Sequence, residues 1–270
     1  MRRVGMNATV FVGGGRITAA LVAGLRGAGF RGRIVVHDRN PEKLRALVRR
    51  FGVHAEPSLA RAATQTEMLI LAVRPADVLS ALAAMGSPRD GARCVSLAAG
   101  VTLRELRRAT RGRVAWSRAM PSPACRMGHG LTALAFDRAF PRAARQRVRR
   151  FFARVGATLE LPEREFDAFT VVYSTSQGYH ALAARIGAAR KIGLSPRVAF
   201  LAAAHGLAEG VRALEENPST LEELLAEAAT PGGVAAEVMR VMHAGGYDRL
   251  VARAYRAGVA RASARRRSTK

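Results

Sequence analysis

The chain has 270 residues, of which 49% are hydrophobic, and it carries a formal net charge of +24. No apolar run approaches the roughly 20 residues that a membrane-spanning helix needs, and the two cysteines form no CxxC or metal-ligand cluster. These features exclude a helical membrane protein and a disulfide-stapled or zinc-stapled domain. We therefore expect a cytoplasmic protein without a metal site.

The positive charge alone does not indicate a nucleic-acid-binding protein. Only three of the 44 basic residues are lysines, and the arginines are scattered along the chain except for a run at 265–267. Aromatic residues make up 6% of the chain and do not alternate with basic ones as a base-stacking surface would require. We expect a solvated basic surface that favours anionic cofactors, with no specific nucleic-acid partner.

Residues 8–40 predict a strand, a glycine-rich turn, a helix and a second strand at 33–39 that ends in the charged pair Asp38 and Arg39. Gly13 permits the tight turn, and Gly15 lets a pyrophosphate approach the backbone at the helix N-terminus. The third position of the fingerprint is Thr18 instead of glycine or alanine. The stretch predicts a dinucleotide-binding unit, and the alternative is an ordinary βαβ unit that uses glycine to turn.

Strands and helices alternate up to residue 161, which predicts a Rossmann-type, doubly wound parallel α/β sheet. After the first unit, strands are predicted at 53–55, 68–73, 93–98, 114–116, 131–136 and 157–161. Helices are predicted from 41, 58, 77, 102 and 142.

Pro162 marks a change, because alanine-rich helical patterns replace the strands beyond it. We predict a dinucleotide-binding domain at 1–162 and an all-α domain with four or five helices at 163–270. Apolar residues between 200 and 214 follow a 4-3-4-3 spacing that is typical of a helix packed on another helix. The apolar faces are broader than one small bundle needs, so we predict a homodimer through this domain, with a larger assembly left open.

The residues after the second strand bear on the choice of cofactor. An acidic residue such as Asp38 favours a free ribose 2′-hydroxyl, whereas Arg39 beside Asn40 favours a 2′-phosphate. Asp38 can alternatively serve as a turn or cap residue. We predict NADP and leave NAD open.

Several motifs together resemble those of the pyrroline-5-carboxylate reductase family over nearly the whole chain. They are Phe-Val-Gly-Gly-Gly-Arg-Ile at 11–17, Ala-Val-Arg-Pro at 72–75, Ser-Leu-Ala-Ala-Gly at 96–100, Arg-Ala-Met-Pro at 118–121, Gly-His-Gly-Leu-Thr at 128–132 and Thr-Pro-Gly-Gly at 230–233. The resemblance implies a Rossmann domain, a helical dimerisation domain and hydride transfer from NAD(P)H to the C=N carbon of a cyclic imine. The predicted cofactor-binding residues are Gly13, Gly15, Arg16, Ile17, Arg39, Asn40, Val73, Arg74, Pro75, Ala99 and Gly100.

The chain departs from the family pattern where that imine is expected to bind. The family's Gly-Ser-Gly-Pro-Ala-Tyr is replaced by Ser-Thr-Ser-Gln-Gly-Tyr at 174–179, and two threonines after Pro-Gly-Gly are replaced by Val234 and Ala235. The predicted substrate-positioning residues are Ser174, Thr175, Ser176 and Thr230. The hydroxyls of the first three can alternatively bond to carbonyls one helical turn earlier.

Two further functions stay open from the sequence. A catalytically silent paralogue would bind the nucleotide without turnover. A β-hydroxyacid-type dehydrogenase needs a helical lysine with an asparagine one turn later, but Lys191 is followed at that spacing by Ser195. Tyr173 and His180 flank the altered segment and are candidate proton donors, or packed helix residues.

Overall fold

A computed structural model describes residues 8–216 and 218–264, so the basic run at 265–267 lies outside it. The chain divides into two compact units. Of the described residues, we call 8–173 together with 259–264 the sheet unit, and those within 174–258 the helical unit. Among the described residues, no helix combines the length and the apolar character needed to cross a bilayer.

The described part of the sheet unit contains one eight-stranded sheet. Its strands are β1 (Ala8–Val12), β2 (Ile34–His37), β3 (His54–Ala55), β4 (Thr66–Leu71), β5 (Arg93–Ser96), β6 (Trp116–Met120), β7 (Gly130–Phe136) and β8 (Gly156–Glu160). The strand order is β3-β2-β1-β4-β5-β6-β7-β8, and β6–β7 is the antiparallel pair. The predicted Rossmann-type α/β sheet is confirmed, but β7 and β8, which are parallel to each other, run opposite to the other six strands, so the sheet is not parallel throughout as predicted.

Helices cover both faces of this sheet. They are α1 (Arg16–Gly27), α2 (Pro41–Phe51), α3 (Leu59–Thr64), α4 (Val78–Met85), α5 (Leu103–Ala109), α6 (Arg142–Phe152) and α7 (Glu163–Val172). Apolar side chains of α1, α2 and α6 pack on one face, and those of α3, α4 and α5 on the other. The central strand β1 points Phe11 to the first face and Val10 to the second, which explains its continuous apolar run.

Helix α7 packs on the sheet although it follows Pro162. Phe166 is buried against β7, and the guanidinium of Arg118 on β6 lies 4.2 Å above its ring centroid. Arg118, with 1% of its side chain exposed, donates a hydrogen bond of 2.8 Å to Asp167. The compact units therefore divide after Tyr173. A domain boundary after residue 162 stays a prediction from the sequence pattern.

The remaining helices are α8 (Thr175–Lys191), α9 (Pro196–Glu216), α10 (Leu221–Ala228), α11 (Val234–Ala244) and α12 (Tyr247–Ala264). With α7, the described residues after 162 thus contain six helices, so the prediction of four or five was too low. The last turns of α12, from Val259, belong to the sheet unit. Within one chain α8, α10 and α11 bury no residue, and α9 buries Ala199 and Ala203.

Candidate functional site

The turn between β1 and α1 requires glycine at its first position. Gly13 has a φ of +108°, and a Cβ atom there would lie 2.6 Å from the carbonyl oxygen of Ala72. The buried hydroxyl of Thr18 donates a 2.6 Å hydrogen bond to the carbonyl of Gly13. This bond gives a physical reason for threonine at the third fingerprint position, because it connects the glycine turn at Gly13 to the first turn of α1.

The N-terminus of α1 is open at Gly15. Gly15 is the N-cap residue and makes no side-chain cap bond, and a Cβ on it would meet no atom within 4 Å. The N–H groups of the first turn, which includes Arg16 and Ile17, have no acceptor within an α-helix. An anion can therefore approach bare backbone at the positive end of the helix dipole.

Asp38, directly after β2, uses both carboxylate oxygens on the backbone. They accept hydrogen bonds from Gly14 N at 2.6 Å and from Asn40 N at 2.8 Å. The side chain of Asn40 in turn caps α2 by accepting bonds from Glu42 N and Lys43 N. The structure thus supports the turn-and-cap role for Asp38 that the sequence left as an alternative.

A cleft of about 560 Å³ opens beside the glycine turn. The ends of β1, β2 and β4 and the start of α4 contribute its walls. Its lining residues are Val12, Gly13, Gly15, His37, Asp38, Arg39, Lys43, Ala72, Val73, Arg74, Asp77, Ser80, Ala81 and Ala84. Ligands of open α/β sheets bind at this edge, outside the carboxyl ends of the strands.

The predicted cofactor-binding residues fall into two groups in the structure. Gly13, Gly15, Arg39, Val73 and Arg74 line the cleft together. The others lie beside it or elsewhere in the sheet unit: Arg16 and Ile17 in the first turn of α1, Asn40 at the cap of α2, Pro75 at the start of a short 3₁₀ helix, and Ala99 and Gly100 in the loop after β5. Strand β4 ends at Leu71 instead of the predicted 73, so Ala72 and Val73 belong to the cleft wall.

Asp77 is a cleft residue that the sequence reasoning missed. Its carboxylate accepts a 2.9 Å hydrogen bond from Arg74 Nε and lies 3.5 Å from Arg39 Nη2. The hydrogen bond from Arg74, with the positive charges of Arg74 and Arg39, holds the pKa of Asp77 below its usual range. The spacing of Arg74 and Asp77 across Pro75 is the one local signal that could have revealed this pair.

The predicted substrate-positioning residues lie in the helical unit. Ser174 is the N-cap of α8, and its hydroxyl lies 2.6 Å from that of Ser176, so the two pair with each other. Thr175 is the first residue of α8. Thr230 stands in the turn before α11, where its carbonyl accepts a 2.8 Å bond from Gly233 N.

The two candidate proton donors differ in their surroundings. The phenol oxygen of Tyr173 accepts a 2.7 Å hydrogen bond from Leu131 N, which ties the end of α7 to β7. This contact supports a structural role for Tyr173. His180 is exposed on α8. Across 8–216 and 218–264, no three His, Cys, Asp or Glu side chains come together in a way that could hold a metal ion.

Comparison with known proteins places relatives along the whole chain. The family model described as NADP oxidoreductase, coenzyme F420-dependent, matches residues 9–100, and the model for pyrroline-5-carboxylate reductase dimerisation matches residues 163–265. The pyrroline-5-carboxylate reductase of Mycobacterium tuberculosis is 30% identical over 95% of this chain and 96% of its own length. That of Thermus thermophilus is 32% identical over 87% and 89%.

A solved structure shows the same fold. The Plasmodium falciparum pyrroline carboxylate reductase with NADP bound superposes with a TM-score of 0.87 at 18% identity. The superposition covers 95% of this chain and 97% of that one.

Proposed function

Because the chain belongs to the pyrroline-5-carboxylate reductase family, we propose that it reduces the C=N bond of pyrroline-5-carboxylate and so forms proline, with NADPH as the reductant. The observation that carries the proposal is the N-terminus of α1, which is open at Gly15 in the cleft. The relatives named for this activity align with nearly the whole chain. The free thiols of Cys94 and Cys125 are consistent with a cytoplasmic location.

The sheet unit has the features that a dinucleotide needs. The first-turn N–H groups of α1 suit the pyrophosphate, and the guanidinium groups of Arg39 and Arg74 suit a 2′-phosphate. Each carboxylate oxygen of Asp38 already accepts a backbone N–H bond, from Gly14 or Asn40, which weakens it as the acceptor that a free 2′-hydroxyl prefers. The nicotinamide cofactor supplies a hydride when it is bound. These contacts favour NADP over NAD.

The first turn of α8 is the proposed contact for the substrate carboxylate. Because the hydroxyls of Ser174 and Ser176 pair with each other, Ser174 does not cap the helix, and the first N–H groups of α8 are left for an anion. The two hydroxyls can also turn toward a carboxylate oxygen. We assign Thr175 and Thr230 to the same positioning role.

Replacement of both serines by alanine tests this assignment. We expect the KM for the imine to rise at least tenfold while the affinity for NADP⁺ stays unchanged, since the cleft lies in the sheet unit. Ser87→Ala, at an exposed loop position, is the matched control. An unchanged KM in the double variant would remove these hydroxyls from the site.

The helical unit also carries the proposal of a homodimer. Large apolar side chains of α9, including Phe200 and Val211, are 51% and 58% exposed within one chain. Large apolar side chains that are exposed together on one surface mark protein–protein contacts. The match to the dimerisation model covers this unit, so we propose a second copy of the chain as the partner. Sedimentation velocity distinguishes a dimer from a larger assembly.

The activity is tested by following NADPH absorbance with purified protein and pyrroline-5-carboxylate. We expect stoichiometric NADPH oxidation and proline formation. NADP⁺ binding without turnover across a panel of cyclic imines would identify a silent paralogue instead. Oxidation of a β-hydroxyacid with NADP⁺ would support a dehydrogenase, for which Lys191, at the end of α8, is the lysine that the described part of the helical unit offers.

A further inference from the structure

Two arginines from different strand ends meet at one carboxylate in the cleft. Arg39 follows β2 and Arg74 follows β4, and these strands are separated in the sheet by β1. Asp77 lies between them, 3.5 Å from Arg39 Nη2 and 2.9 Å from Arg74 Nε. The arginine side chains are 78% and 81% exposed, whereas that of Asp77 is 22% exposed.

This cluster has little value for stability. Ion pairs between exposed side chains contribute little to folding, because solvent screens them and two long side chains lose freedom. The backbone does not require it either, since the 3₁₀ helix Pro75–Asp77 is closed by a main-chain bond from Asp77 N to Arg74 O. The arrangement is therefore better explained by what the arginines do when a ligand is present.

The arginines keep donors for a ligand. In the described part of the chain Arg39 engages Asp77 through Nη2 alone, and Arg74 engages it through Nε alone. Each guanidinium has five N–H donors, so most of them stay available to an oxyanion. Without an anion between them, two like-charged groups would separate, and a ligand would have to order both side chains as it binds.

We propose that Asp77 is a positioning residue for cofactor selectivity, which holds Arg39 and Arg74 on one side of the cleft so that both address the 2′-phosphate of NADP. The inference rests on the proposed NADP dependence and adds the determinant of selectivity. The sequence suggests Arg39 beside Asn40 as the determinant of selectivity and predicts Arg74 only as a cofactor-binding residue. The structure adds a second guanidinium from another loop and the carboxylate that joins the two.

Two effects of Asp77 oppose each other, and the test decides between them. Its negative charge repels a phosphate, whereas its contacts keep the arginines in place before the phosphate arrives. If positioning dominates, Asp77→Asn weakens binding of NADP⁺. If repulsion dominates, the same substitution strengthens it.

The experiment measures the dissociation constants of NADP⁺ and NAD⁺ by calorimetry on the full-length protein. For Asp77→Asn we expect NADP⁺ affinity to fall about fivefold to tenfold, with NAD⁺ affinity within about twofold. In steady-state assays the loss should lie in the KM for NADPH more than in kcat. Asp90→Asn, at an exposed loop position of the same unit, is the control.

A double-mutant cycle gives an independent readout. Arg39→Ala and Arg74→Ala should be coupled in the parent protein and additive in the Asp77→Asn background. Asp77→Glu should restore part of the selectivity. An unchanged or increased NADP⁺ to NAD⁺ affinity ratio in Asp77→Asn, with an unchanged Tm, would overturn the proposal. Failure of imine turnover with intact NADP⁺ selectivity would instead count against the proposed activity alone.

Discussion

The sheet unit and the helical unit use apolar residues in opposite ways. In the sheet unit the large side chains Trp116 and Phe11 are fully buried, and two core clusters fill the faces of the sheet. In the helical unit the large side chains Phe200 and Val211 are more than half exposed in one chain. One unit therefore has its core within a single chain, and the other exposes an apolar face that the proposed second chain would cover.

This difference separates cofactor binding from substrate positioning in the proposed function. The proposed cofactor cleft is lined by residues of the sheet unit, and a single chain supplies all of them. The proposed substrate-positioning residues belong to the helical unit, which also carries the apolar face of the proposed dimer. Cofactor binding should therefore survive changes that abolish reduction of the imine.

The largest expected effect comes from breaking the dimer. Val211→Asp places a charge on the exposed apolar face of α9, and a buried unpaired carboxylate is strongly unfavourable at an interface. We expect a monomer in sedimentation velocity and a loss of imine reduction of at least about 100-fold, with NADP⁺ affinity within about threefold.

Val48→Asp is the control, because Val48 is an exposed valine on α2 of the sheet unit. It should stay dimeric. A Val211→Asp monomer with full activity would show that imine reduction does not need the proposed dimer.

The next effect is a loss of stability in the sheet unit. Asp167→Ala removes the 2.8 Å partner of the buried Arg118 guanidinium and leaves it the 3.4 Å contact with Glu163, so the free energy of unfolding should fall by about 3 kcal/mol. Glu165→Ala, which removes an exposed pair with Arg164, should cost less than about 1 kcal/mol. Trp116 is the single tryptophan, so its fluorescence during urea unfolding reports on this unit alone. Equal losses in the two variants would refute the role of the pair.

Substitution of two glycines in the same turn should have different effects, one on stability and the other on NADP⁺ binding. Gly13→Ala forces a side chain into a positive φ and against the carbonyl of Ala72, and should cost about 2–3 kcal/mol. Gly15→Ala meets open space and carries only the cost of alanine at an N-cap, so stability should fall by at most about 1 kcal/mol. Its methyl group should nevertheless reduce NADP⁺ affinity about tenfold, because it stands where the pyrophosphate approaches. Calorimetry and urea unfolding together test this crossed pattern.

The smallest effect concerns the buried thiols of the sheet unit. Burial raises the pKa of Cys94 to about 12 and that of Cys125 to about 11. The unfolded thiols ionise near pH 9, so their contribution to stability is complete below pH 9 and is lost as the pH rises toward the folded values. Each thiol adds a slope that approaches about 1.4 kcal/mol per pH unit. Urea unfolding at pH 8, 9 and 10 should show a shallower loss for Cys94→Ala than for the parent protein.

Local signals allowed much of the sheet unit to be predicted. The glycine turn and the capping box of Thr102 and Glu105 depend on neighbours within a few residues, and the structure contains both. Strand β6 was predicted at 114–116 but runs to Met120, because polar residues such as Arg118 interrupt its apolar pattern. The buried partner of that arginine, Asp167, is distant in sequence, and no local pattern connects the two.

Direction and long-range pairing were not accessible from the sequence. An apolar run predicts a buried strand but gives no strand direction, so the antiparallel β7 could not be foreseen. Asp77 was missed for a related reason, since its link to Arg39 spans β1 and becomes visible only in three dimensions. In the helical unit the sequence predicts apolar helix faces, and within one chain these faces stay exposed, so no contact within the chain identifies what covers them.

The end of α12 has a consequence for how the molecule can be divided. Residues from Val259 belong to the sheet unit, and a Cβ on Gly100 would lie 3.0 Å from the carbonyl oxygen of Ala262. The helical unit is therefore an insertion within the sheet unit, entered after Tyr173 and left before Val259. A fragment that ends at residue 173 lacks the last segment of the sheet unit, which begins at Val259. Shortening the C-terminus likewise removes part of the sheet unit. Separate study of the sheet unit therefore calls for a chain that keeps both of its segments, the one that ends at Tyr173 and the one that begins at Val259.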